Sequence, residues 1–129
     1  MLGLREGQRL SKVTAISVGG KAMDLVVESY RLANLLPKNE TYGLASQIQR
    51  AAVSIPANIA EGHGRDHLGD YLHHLSVANG SLMELETHFH IALRLSYLKG
   101  NDLEKIVALT AEVGRMLSAL TRKLKEKKT

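Results

Sequence analysis

The stretch QIQRAAVSIPANIAEG, residues 47–62, constrains the fold more than any other part of the chain. Turned at 100° per residue, Leu44, Ile48, Ala51, Ile55 and Ile59 fall on one side, the apolar seam that a helix buries. Gln47, Arg50, Ser54, Asn58 and Glu61 form a narrow polar stripe beside it. The remaining positions, Ser46, Gln49, Val53, Ala57 and Ala60, are mostly small or apolar, where a solvated face would carry charge. A helix apolar on nearly every side packs inside a bundle or against another subunit. The polar stripe is therefore expected inside protein, with each of its groups paired.

Composition points the same way. Hydrophobic residues make up 44% of the chain but aromatics only 4%, so the core must be built from Leu, Ile, Val and Ala. That favours helices over a sheet, which draws on aromatic and β-branched residues. At 129 residues the chain has the size of one domain. The absence of cysteine excludes a disulfide, a thiolate metal site and a cysteine nucleophile, and fits a cytoplasmic location. No apolar run reaches the roughly 18 residues of a membrane span, so no membrane partner is expected. Residues 13–19 resemble a signal segment, but they are short and lack a convincing cleavage site. The net charge of +4 is mildly basic. Much of it lies at the C-terminal end, where Arg122, Lys123, Lys125, Lys127 and Lys128 face only Glu126.

In chain order, residues 1–20 read as an N-terminal arm, either flexible or a short extra helix. Ala22, Leu25, Val26, Tyr30, Ala33 and Leu36 then mark a first helix, ended by Pro37. Asn39 is the expected N-cap of the second helix, with Glu40 in its first turn. Pro56 removes one backbone hydrogen bond from that helix and is expected to bend it near residues 52–56 without breaking it. After the turn at residues 62–65, Asp66 is the expected cap of a third helix that ends at Gly100. Its seam is Tyr71, Leu75, Ala78, Leu82, Leu85, Phe89 and Leu93. His74, Ser81, Glu84 and His88 form a polar stripe beside that seam. Folding back about residue 64 brings the two polar stripes together and sets Ser54 level with His74. It also places Arg50 in reach of Glu84, and Gly80 is expected to allow close approach. Asn101 or Asp102 caps a fourth helix to about residue 125, with a seam of Leu103, Ile106, Val107, Thr110, Val113, Leu117 and Leu120. The expected architecture is all-α: an up-and-down antiparallel four-helix bundle over residues 21–125, followed by a basic tail over 126–129.

The polar groups admit several chemistries. The stripe of Gln47, Arg50, Ser54, Asn58 and Glu61 with Ser81 and Glu84 reads better as a structural hydrogen-bond network than as a pocket. The histidines pair with neighbours at helical spacing: His63 with His67, Asp70 with His73, Glu84 with His88, and Glu86 with His90. However, no Glu-x-x-His motif occurs, so neither a di-iron site nor any other metal site is expected. The arginine-then-histidine pair of helical RNA-cleaving toxins has no counterpart after Arg50 or Arg65. Phosphate loops and nucleophile elbows are absent as well. No enzyme and no cofactor are expected. Arg115, Arg122, Lys123, Lys125, Lys127 and Lys128 are the candidate phosphate contacts. No aromatic cluster accompanies them, so the binding should be mostly electrostatic.

The run from Glu40 to Gly62, ETYGLASQIQRAAVSIPANIAEG, closely resembles the signature of the four-helix-bundle proteins encoded in intervening sequences of bacterial 23S ribosomal RNA genes. Residues 78–86, ANGSLMELE, resemble that family's second motif, and Lys21-Ala22 its start. Gly19-Gly20 stands where members usually carry an aromatic residue. The likeness extends over about residues 21–122. The resemblance implies a bundle that assembles into a homo-oligomeric ring, a pentamer, and attaches no enzymatic activity. A related bundle, the accessory protein of diversity-generating retroelements, is thought to bind nucleic acid and the reverse transcriptase. The match carries Gln47, Arg50, Ser54, Asn58, Glu61, Gly80, Ser81 and Glu84 as signature positions. The reading is a non-catalytic bundle that binds RNA or a ribonucleoprotein through a basic surface. The alternative is a protein-interaction adaptor, for example for a reverse transcriptase or nuclease, with a metal-dependent bundle enzyme as a third reading.

Overall fold

A computed structural model describes the backbone of residues 2–126 and the side chains of residues 15–126. The described residues form four α-helices and no strand: α1 (Leu2–Ala33), α2 (Leu44–His63), α3 (Leu68–Arg94) and α4 (Glu104–Glu126). Short 3-10 turns, Lys38–Glu40 and Gly100–Leu103, precede α2 and α4. The helices pack in a cycle: α1 against α2 and α4, and α3 against α2 and α4. Among these pairs, α2 and α3 are the closest and α3 and α4 the loosest. No helix among the described residues is long and apolar enough to cross a membrane.

The core is aliphatic. Leu25, Leu32, Ile48, Ile55, Leu75, Leu82, Leu85, Ile106, Leu117 and Leu120 are almost wholly buried. The seam of α2 is as expected, with Leu44, Ile48, Ala51, Ile55 and Ile59 all buried. Helix α1 starts well before Lys21 and runs through Gly19-Gly20. Two interior glycines cost a helix roughly 1 kcal/mol each against alanine. Burial of Ala15 and Val18, in phase with Ala22 and Leu25, offsets that cost. The buried face of α1 passes through Ser29 and Leu32, while Tyr30 is exposed. Ala22, Leu25, Ala33 and Leu36 are buried as expected, but an apolar-only reading skips Ser29 and puts Tyr30 in its place. The same correction holds for Leu93 and Val107, which are exposed, while Ala92 and Leu109 take the inner positions.

The helix ends also differ from expectation. Helix α1 stops at Ala33, before Pro37. Asn39 lies in the 3-10 turn rather than at the cap of α2. Instead, the Glu40 carboxylate accepts the Leu44 N–H at 3.2 Å. His67, not Asp66, is the N-cap residue of α3. Helix α3 closes at Leu95, short of Gly100. Tyr97 N–H donates to the Ala92 carbonyl (2.9 Å) and Ser96 N–H to the Leu93 carbonyl (3.0 Å). Ser96 has φ of 61°. That is the Schellman closure, with serine at the left-handed position that usually holds glycine. Asp102 caps the turn before α4, accepting the Lys99 N–H at 2.8 Å.

Candidate nucleic-acid interface

Helix α4 is held by Ile106, Val113, Leu117, Leu120 and Leu124 in the core. That register turns Arg115, Ser118, Arg122 and Lys125, spaced at three and four residues, toward α3. The opposing stripe of α3 is short: Ser76 and Asn79 line the seam. Small residues on α4, Ala111, Gly114 and Ser118, face it farther along. Short side chains do not fill the space between these two loosely packed helices. The seam is accordingly open along its length.

Its largest opening, a groove of ≈ 730 Å³, has Leu72, Leu75 and Leu117 at its base and Ser76, Asn79 and Thr121 along its sides. Arg122, Lys125 and Glu126 stand at its rim. A second opening of ≈ 500 Å³ continues the seam past Glu86, Arg115, Ser118 and Arg122. A third of ≈ 300 Å³, mostly apolar, ends it between Phe89 and Val107. Three cations and two carboxylates thus share one furrow. Of the six basic residues expected at the interface, the structure brings Arg115, Arg122 and Lys125 to this seam. Lys123 is exposed and does not line it. Lys127 and Lys128 lie outside the described residues.

The polar stripes of α2 and α3 meet elsewhere. Ser54 Oγ and Ser81 Oγ are 2.8 Å apart. Asn58 Nδ2 donates to the Ser54 carbonyl (2.8 Å) and to Ser54 Oγ (3.0 Å). Asn58 Oδ1 is left to accept from His74 Nδ1 at 3.0 Å, which places a proton on that nitrogen. The pairing sets Ser54 against Ser81, and Asn58 against His74, so the fold-back point lies past residue 64. Other members of the expected network stand outside it. Gln47, Arg50, Glu61 and Glu84 are exposed. Among the described residues Arg50 makes no ion pair, Glu61 pairs with Arg65 at 2.8 Å, and Glu84 meets His88 at 3.2 Å. The expected burial of Arg50 against Glu84 is thus corrected. Long charged side chains at the edge of a helix pair reach solvent, whereas short Ser and Asn side chains stay in the seam. Within this chain Val53, Ala57 and Ala60 are exposed too.

Two further contacts lie toward opposite ends of the bundle, one within α1 and one between α2 and α3. Glu28 is buried and holds Arg31 at 2.6 Å. That hydrogen bond, against some desolvation, keeps the Glu28 carboxyl below its ordinary range. At the other end the Tyr71 hydroxyl sits 3.2 Å from His63 Nδ1, and burial pushes the phenol's pKa up.

Sequence reasoning found the cations but missed the groove. Its signal was present: Ser76 and Asn79 on α3 and Gly114, Ser118 and Thr121 on α4 are small or polar at helical spacing beside the two leucine seams.

The profile of the 23S rRNA-intervening sequence protein family matches residues 15–119. A comparison with curated proteins finds no match. Among solved structures, the chain is similar to a protein of unknown function from the S23 ribosomal protein family of Bacteroides thetaiotaomicron VPI-5482. The TM-score is 0.78 at 23% identity, over 84% of this chain and 98% of that one. At that identity the likeness establishes the fold.

Proposed function

The chain belongs to the 23S rRNA-intervening sequence protein family, and on that footing we propose that it is a non-catalytic, oligomeric, cytoplasmic protein that binds RNA or a ribonucleoprotein. In this reading its four helices run up and down, α2 bends at Pro56, and copies associate as a ring, a pentamer by family resemblance. The single observation that carries RNA binding is the alignment of Arg115, Arg122 and Lys125 along the open α3–α4 seam. Cations spaced over two to three helical turns suit a run of phosphates better than one small anion. The family name makes a structured RNA containing a 23S intervening sequence the first ligand to try.

The test is mass by light scattering, with and without that RNA, at low and at high salt. An oligomer that takes up RNA at low salt and releases it at high salt is the expected result. An oligomer indifferent to RNA at both salts would overturn the nucleic-acid reading, and a monomer would overturn the ring.

The second reading, an adaptor for a protein such as a reverse transcriptase or nuclease without direct nucleic-acid binding, has its own observation. Ile16, Met23 and Val27 are exposed along α1, and Val53 is exposed on α2. Clustered exposed apolar side chains mark protein contacts rather than RNA contacts.

A further inference from the structure

We infer that the wide end of the α3–α4 groove receives a base of single-stranded RNA, while the strand's phosphates lie on the α4 cations. This rests on the RNA-binding reading above and specifies the kind of RNA.

The cations alone do not distinguish a duplex from a single strand. The groove beside them does. Its base is aliphatic, formed by Leu72, Leu75 and Leu117, and its volume of ≈ 730 Å³ falls in the range of small-molecule pockets. It lies between α3 and α4, the loosest of the packed helix pairs, so it is bounded on two sides by helix walls and open to solvent between them. Such a slot admits a planar base edge-on and excludes a duplex, which presents phosphates and a shallow groove but no free base.

The polar groups sit where a base needs them. The Asn79 amide offers both donors and an acceptor to a base edge, and the Ser76 and Thr121 hydroxyls can each serve as either. Rotatable hydroxyls tolerate more than one base, so selectivity among bases should be weak. Arg122 belongs to both this groove and the next opening along the seam. Its guanidinium can hold a phosphate or lie against the base plane. Arg115 continues the cationic line away from the base-binding end. Glu126 at the rim and Glu86 farther along repel phosphates that stray from this line.

The charge contact fades with salt, but the base contact does not. Three probes of equal length separate the two: oligouridylate, its abasic ribose-phosphate counterpart, and a blunt RNA duplex. Binding is read by fluorescence anisotropy at low salt. The expected result is oligouridylate binding roughly tenfold tighter than the abasic strand, the gain from burying about 60 Å² of apolar base surface, and tighter than the duplex. Equal binding of the abasic strand, or duplex binding as tight as oligouridylate, would overturn the inference while RNA binding stood. Failure of all three to bind would remove the RNA-binding reading itself. Ser76→Met with Thr121→Met fills the groove with helix-favouring side chains. It should bring oligouridylate down to the abasic level and leave abasic binding unchanged. Asn79→Ala should lower oligouridylate binding in the same direction.

Discussion

The Tyr97 hydroxyl donates to Glu40 Oε2 at 2.9 Å, while Glu40 Oε1 accepts the Leu44 N–H at 3.2 Å. One carboxylate therefore caps α2 and ties the α1–α2 connection to the segment that follows α3. Glu40→Ala should cost about 1 kcal/mol, as lost helix caps do. Tyr97→Phe, which leaves the cap in place, should cost less. The same bond, with burial, raises the Tyr97 pKa above its ordinary 10.0. A raised folded value means the contribution is full below pH 10.0 and is lost as pH climbs through the folded value. Urea midpoints across alkaline pH check this: the fall in stability should be shallower for Tyr97→Phe than for the parent.

Gly62, not Gly80, marks the close approach of α2 and α3. A β-carbon at Gly62 would stand 2.8 Å from His74 Cβ and 3.3 Å from the Tyr71 carbonyl oxygen, whereas one at Gly80 meets nothing within 4 Å. Overpacking costs about 1–3 kcal/mol, and the helix propensity of alanine returns roughly 1 kcal/mol. Gly62→Ala should therefore destabilise by up to roughly 2 kcal/mol, and Gly80→Ala should stabilise by up to about 1 kcal/mol. Thermal melts of the two variants should move in opposite directions.

Arg50 illustrates what periodicity can and cannot reveal. The polar stripe of α2 was legible because Ser54 and Asn58 fall four residues apart beside a clean aliphatic seam, and both meet α3. Arg50 and Glu61 share that stripe by angle, yet stay exposed. Angle gives the direction of a Cβ, not the reach of a long side chain, which solvation pulls outward. The groove was only partly legible: its small and polar lining could be read at helical spacing, its width could not. Openings arise from how loosely two helices pack, and helical periodicity does not encode that distance. With no ion pair to lose, Arg50→Ala should change stability by no more than about 0.5 kcal/mol. A chemical denaturation curve shifted well beyond that would mean that Arg50 is engaged in an assembly of several chains.

Glu28 sets the acid side of the stability profile. It is buried, and its hydrogen bond to Arg31 holds its pKa below the ordinary 4.5. A lowered folded value means the contribution is present above that ordinary value and is lost as pH falls through the folded one. Arg31 is half exposed, so solvent screens part of the effect. Glu28→Gln should be less stable at neutral pH. It should also show a shallower loss between neutral pH and the range below 4.5. Urea midpoints at matched pH values give both readings.

The seam on α4 makes a quantitative claim about salt. Each phosphate contact to a single strand contributes about 0.7 to the slope of log K against log salt. Arg115, Arg122 and Lys125 line the furrow, so replacing all three with glutamine should flatten the slope by roughly two. Lys123 lies off the furrow, and Lys123→Gln should leave that slope almost unchanged. Glutamine keeps much of the side-chain length and helix propensity, so α4 should stay folded in both variants. Titrations at several salt concentrations would separate the cases. A slope altered as much by Lys123→Gln as by one of the three would indicate a diffuse basic surface rather than this line of cations.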